Sequence, residues 1–199
     1  MTEKNKLPIE KRCVEFRSDI VSENNGNMTV SGYGAVFESP TIICEYDGVE
    51  FKEIIDRHAL DNADFSRCCL KYNHEDTVPI LARTRNGSLK TEIDDYGLKF
   101  YANLFNTSVA RDVYTIIKEG GLDKCSFAFT VKKDEYDKET HTRKILEIDK
   151  VFDISIVDIP AYDDTSVEAR SLFALEREKE LLESKEAEKR KKILLLTKI

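Results

Sequence analysis

Apolar and polar positions along most of the chain alternate with a period of two, the mark of half-buried strands. Val14, Phe16 and Ile20 share one face of an early segment, with Glu15, Arg17 and Asp19 on the other. Residues 30–37 follow, and Gly32 and Gly34 within them predict a bulge or a close backbone approach. Asn86-Gly87 predicts a hairpin turn between residues 80–84 and 89–93. Asp94-Asp95-Tyr96-Gly97 makes the next turn, after which Leu98, Phe100, Ala102 and Leu104 alternate again. Residues 125–132 and 144–148 flank a charged excursion, 133–143, that reads as a long exposed hairpin. Residues 151–159 form a last apolar strand, ended by Pro160.

A helical period appears in three places. Val109, Val113, Ile116 and Ile117 fall on one helical face, with Asn106, Thr107 or Ser108 as cap and Gly120-Gly121 as the stop. Residues 56–62 suggest a shorter helix. Thr165-x-x-Glu168 is a capping box that starts a charged helix, with i,i+4 pairs at Glu186/Arg190 and Glu188/Lys192. Its apolar stripe (Val167, Leu172, Leu175, Leu182) is thin, so its outer half is expected to meet solvent or a partner. The chain thus divides into a mobile leader (1–11), a folded domain (12–164) and a charged helical tail (165–199). Many short strands with few helices predict a closed or sandwiched antiparallel sheet.

Composition narrows the function. The net charge of −7 argues against a duplex nucleic-acid binder, which needs a basic face. No apolar run approaches the roughly 20 residues of a membrane span, and the polar first residues do not read as a signal peptide. The five cysteines (Cys13, Cys44, Cys68, Cys69, Cys125) lack CxxC spacing and read as reduced thiols rather than zinc ligands.

The motifs HExxH, GxGxxG and GxSxG and the P-loop are absent, so any chemistry must use a plainer constellation. Of three histidines, His141 lies at the tip of the charged hairpin and His58 among charged residues; both read as solvated. His74 follows the largely apolar Cys68-Cys69-Leu70-Lys71-Tyr72 at a strand end, where a scaffold presents catalytic groups. In residues 125–131, alternation puts Phe127, Phe129 and Val131 on one face and Ser126, Ala128 and Thr130 on the other. That small-residue face suits a substrate cleft, and it suits an ordinary polar strand face as well. Asp153 alternates with Phe152, Ile154 and Ile156, and a carboxylate in such a strand needs a partner. A serine, a histidine and an acid fit one mechanism, in which the imidazole takes the hydroxyl proton and the acid orients the imidazole. A thiol hydrolase using Cys125 remains open, although alternation turns Cys125 away from the face of Ser126.

From Gly32 to Ala161 the sequence resembles the prohead proteases of tailed bacteriophages, relatives of herpesvirus assemblin. The blocks that carry the resemblance are collinear: Gly32-Tyr33-Gly34-Ala35-Val36-Phe37, Tyr72-Asn73-His74-Glu75, Leu81-Ala82-Arg83-Thr84 with Gly87-Ser88-Leu89, the 107–117 helix, Cys125-Ser126-Phe127-Ala128-Phe129, and Phe152-Asp153-Ile154-Ser155-Ile156-Val157 with Pro160-Ala161. The resemblance implies an α+β, mainly-β fold: an orthogonally packed antiparallel β-barrel with peripheral helices and a C-terminal helical tail. It implies a serine endopeptidase with His74 as base, Ser126 as nucleophile and Asp153, where glutamate is usual, as the orienting acid. The implied substrate is scaffold or capsid-protein precursor inside the assembling prohead in the host cytoplasm, and the protease itself. No cofactor, metal, nucleic acid or membrane is implied, and a homo-oligomer is left open. The alternative is a non-enzymatic assembly or scaffold protein that keeps the fold.

Overall fold

The structure, a computed structural model, describes residues 7–15, 27–158 and 167–196. Its strands are β1 (Glu10–Glu15), β2 (Thr29–Val36), β3 (Thr41–Tyr46), β4 (Val49–Ile55), β5 (Cys69–Tyr72), β6 (Ala82–Arg83), β7 (Leu89–Ile93), β8 (Gly97–Asn103), β9 (Lys124–Asp137) and β10 (Thr142–Val157); the helices are α1 (Ser108–Lys118) and α2 (Val167–Leu196). The expectations for Phe16, Ile20, Pro160 and the Thr165 cap lie outside the described residues.

β10 organises the large sheet. It pairs antiparallel with β9 along its length, parallel with β4 through Thr142–Ile145, and parallel with β5 through Asp153–Ile156. A strand paired on both edges and buried should read as nearly continuous apolar sequence, and residues 153–157 are all buried. Asp153 and Ser155 are the exceptions in residue type. The segments read as separate strands at 144–148 and 151–159 are one strand, interrupted only by register shifts between Ile145 and Asp153.

The expected closed barrel is not formed. The strands make two open sheets, one of seven strands (path β1-β9-β10-β4-β3, with β5 beside β10 and β6 beside β5) and one of three (β2-β8-β7), and among the described residues no ladder joins them. The turn read as a hairpin instead joins the two sheets. β6 is two residues long and pairs with β5, then a 3-10 turn (Thr84–Asn86) closes at Gly87, whose φ of 76° only glycine adopts without strain. The chain leaves this turn in a new direction and enters β7, which pairs with β8. Asn86-Gly87 therefore carries the chain between sheets. The fold remains mixed α+β and mainly β.

The two sheets bury a common core. Val30, Leu89, Leu98 and Phe100 of the small sheet meet Leu70, Phe127, Phe129, Ile154 and Ile156 of the large one. Each such side chain contributes about 1.5–3 kcal/mol on leaving water. Gly34 forms the bulge in β2, and a side chain there would press on Ile154 at 3.2 Å. α1 is capped by Thr107, whose hydroxyl accepts from the Ala110 amide, and buries Ala110, Val113, Tyr114 and Ile117. Ile116, expected on that face, is exposed. Residues 56–62 form successive turns rather than a helix. Among the described residues no helix is long and apolar enough to cross a membrane.

The tail differs from its sequence reading near its start. Phe173 of α2 is buried against Ile43 and Phe51, with Tyr136 packed beside them. From Leu181 to Lys191 every α2 residue is exposed.

Candidate active site

Register sets one face of the large sheet. Residues directly opposite on paired strands point the same way. Ser126 on β9 faces Ser155 on β10, which faces Lys71 on β5. One row along, Ala128 faces Asp153, which faces Cys69, which faces Arg83 on β6. The opposite face carries Phe127, Ile154 and Leu70 into the core. Period-two alternation thus delivers Ser126, Asp153 and Ser155 to one surface.

His74 reaches that surface from the turn after β5. Asn73 and His74 both take left-handed backbone conformations, φ 51° and 56°, which Asn and His tolerate better than bulkier residues. Three hydrogen bonds hold the turn. The Asn73 amide donates to Ile156 O at 3.0 Å, the His74 amide to Ser155 Oγ at 3.1 Å, and the Asp158 amide to Asn73 Oδ1 at 3.1 Å.

The three side chains meet. His74 Nε2 lies 2.7 Å from Ser126 Oγ, and His74 Nδ1 lies 2.5 Å from Asp153 Oδ1. Ser155 Oγ donates to Asp153 Oδ1 at 2.8 Å, so it is free to accept from the His74 amide and sits 3.1 Å from Nδ1. An ionised carboxylate only accepts, which assigns the ring proton to Nδ1 and leaves the Nε2 lone pair facing the Ser126 hydroxyl. Ser126 has no exposed surface and the His74 side chain is 8% exposed.

Charge near Asp153 is arranged to keep it company. Lys71 Nζ is 3.9 Å from Asp153 Oδ2 and 2.5 Å from Asp76 Oδ1. Burial pulls the Lys71 ammonium down, but Asp76 and Asp153 outweigh it and hold it above its ordinary value. Burial, then Asp153, pushes the neighbouring Cys69 thiol up, with Lys71 and Arg83 acting the other way.

The remaining expectations separate cleanly. His58 is exposed and contacts Asp61 at 3.0 Å. His141 is only partly exposed: it packs on Phe51 with ring centres 5.1 Å apart and meets the Tyr136 hydroxyl at 3.2 Å. Asp158, the other carboxylate near this strand end, is exposed and accepts from the Tyr72 hydroxyl at 3.2 Å. Cys125 is buried within the hydrophobic core, on the face of β9 opposite Ser126. Ser155 and Lys71 escaped the sequence reading. The signal for Ser155 was present: a second polar residue two positions after Asp153 in an apolar strand.

A family model described as caudovirus prohead serine protease matches residues 14–179. No curated protein and no solved structure matches the chain.

Proposed function

Because the chain belongs to the caudovirus prohead serine protease family, and is therefore a serine endopeptidase acting on capsid or scaffold precursor proteins, we propose that Ser126 is its nucleophile, His74 its general base and Asp153 the acid that orients the base. The observation that carries this reading is the continuous chain of contacts from Asp153 Oδ1 through the imidazole to Ser126 Oγ.

The geometry supports a definite sequence of steps. Ser126 Oγ attacks the scissile carbonyl carbon as its proton passes to His74 Nε2. The imidazolium that forms keeps its Nδ1 proton on Asp153, whose negative charge stabilises it. The same Nε2 proton then goes to the leaving amine as the carbon–nitrogen bond breaks, giving an acyl enzyme on Ser126. Water, deprotonated by the regenerated imidazole, releases the acid product. Asp153 does its work through a shorter arm than glutamate, and the clamp of His74 onto Ser155 brings the ring within its reach.

The site is proposed to act inside the assembling prohead and to cut its own chain as well as precursor protein. Co-expression of the chain with the capsid-protein precursor from the same virus, followed by mass spectrometry of new termini, tests the nucleophile. Ser126→Ala removes one oxygen from a buried side chain and should leave the fold intact while lowering cleavage roughly 10⁴- to 10⁶-fold. Cleavage within tenfold of wild type would sink the assignment of Ser126.

A further inference from the structure

Ser66, Arg67, Arg83 and Arg85 line one cleft of about 530 Å³. Three of these four residues are arginines, in a chain whose net charge is −7. None of the three is joined to a carboxylate among the described residues, and the buried Arg83 Nε donates to nothing. Like charges gathered without a counter-charge repel one another, and a buried donor without an acceptor costs free energy until one arrives. The cleft is built for an anion.

Its position says which anion. Arg83 stands in the same cross-strand row as Cys69, Asp153 and Ala128, so it emerges on the face that carries Ser126. Three strand spacings separate Arg83 from β9, about 14 Å, which is the length of roughly four residues of extended chain. A polypeptide lying across this face with its scissile bond at Ser126 passes the arginines. Guanidinium groups match carboxylates in shape and hydrogen-bonding capacity.

We propose that this arginine cleft is a specificity subsite that binds an acidic side chain of the polypeptide substrate, three to five residues from the scissile bond. The inference rests on the assignment of Ser126 as nucleophile. A nucleic-acid phosphate has the same charge, but the acidic surface as a whole disfavours a polyanion, and the shared face with Ser126 favours the substrate.

A library of peptides from a tryptic proteome digest, incubated with the purified full-length protein and read by mass spectrometry, tests the cleft. Wild type should cut peptides enriched in Glu or Asp at one position within five residues of the cut. Arg83→Gln, and separately the exposed pair Arg67→Glu with Arg85→Glu, should reduce that enrichment about tenfold or more. The exposed pair keeps the test meaningful if Arg83→Gln fails to fold. Cleavage that depends on Ser126 yet shows no acidic preference, or a preference unchanged in the folded variants, overturns the subsite and spares the nucleophile. Cleavage that survives Ser126→Ala overturns the reading on which the subsite rests. Duplex DNA that competes with neutral peptides in wild type but not in the charge-reversed pair would assign the cleft to phosphate, against the proposal.

Discussion

His74 Nδ1 lies 2.5 Å from Asp153 Oδ1, although 79 positions separate the two residues in the chain. The parallel pairing of β5 with β10 makes this possible, because it ends β5 at Tyr72 beside Ile156 and lets His74, two residues on, reach Asp153. Asp153→Asn should lower kcat about 10⁴-fold, since an amide of equal size favours the wrong imidazole tautomer. Asp158→Asn should change it less than about tenfold, because Asp158 faces Tyr72. Single-turnover kinetics on the precursor protein compare the two. Equal losses would mean that the loop carrying His74, rather than the orienting acid, limits the rate.

Ser155 is predicted to act as a positioning residue. Its hydroxyl links the His74 amide to the Asp153 carboxylate and holds both in register. Ser155→Ala should lower kcat about 10- to 100-fold with little change in KM, the range for losing one hydrogen bond to a charged group. Ser155→Thr, which keeps the hydroxyl, should restore most of it. The low-field proton resonance of the His74 Nδ1–H···Asp153 bond should move upfield in the alanine variant only. An unchanged resonance together with a fallen rate would assign Ser155 to packing.

The residues that lie on one strand were legible in the sequence, and the relations between strands were not. Alternation alone places Ser126 opposite the Phe127 face and Asp153 opposite the Ile154 face, because period two is a property of each strand by itself. Which strands pair is decided by turn geometry and by distant partners. Asn86-Gly87 carries the expected hairpin signal, yet Thr84–Asn86 winds into a 3-10 turn and sends the chain to the other sheet. That departure puts β6 and β7 in different sheets. His141 was misread for a similar reason, since Phe51 and α2, which cover it, are remote in sequence.

Buried charge makes acid stability a test of the β1 attachment. Glu10 and Arg12 of β1 join Glu53 of β4 and Arg143 of β10 in a network that is almost wholly buried. Burial raises the Glu10 carboxyl, but the Arg143 hydrogen bond and the Arg12 charge outweigh it and hold it below its ordinary 4.5. The folded state thus takes up this proton less readily than the unfolded chain. Stability from Glu10 is fully present above pH 4.5 and is lost as pH falls through the lower folded-state value. Glu10→Gln should cost about 3–5 kcal/mol at pH 7, because it leaves two buried guanidinium groups short of charge. Urea unfolding of both proteins across pH 2–7 should show that gap closing in acid. A gap that stays constant to pH 2 would remove Glu10 from the network's energetics.

The tail should divide at about Glu183 into a docked part and a removable part. The Phe173 ring lies tilted against Phe51 at 5.4 Å and Tyr136 at 6.2 Å, and Lys138 reaches Glu183 at 3.1 Å. Beyond that contact the helix is exposed on all sides through Lys191, so only its own hydrogen bonds and the exposed Glu186–Arg190 pair resist fraying. Frayed backbone enters a protease cleft as an extended strand, whereas helical backbone does not. Truncation after Glu183 should leave the unfolding midpoint and peptide cleavage within error of the full chain. Phe173→Ala should destabilise by about 3–5 kcal/mol, the usual cost of emptying a buried phenylalanine site. Purified wild type should slowly lose peptides from beyond residue 183 through its own cleavage, and Ser126→Ala should retain them. Mass spectrometry of both proteins over days follows this loss. A wild-type tail that stays whole while precursor protein is cut would defeat self-cleavage, and unfolding of the 183-residue chain would show that the exposed half of α2 supports the docked half.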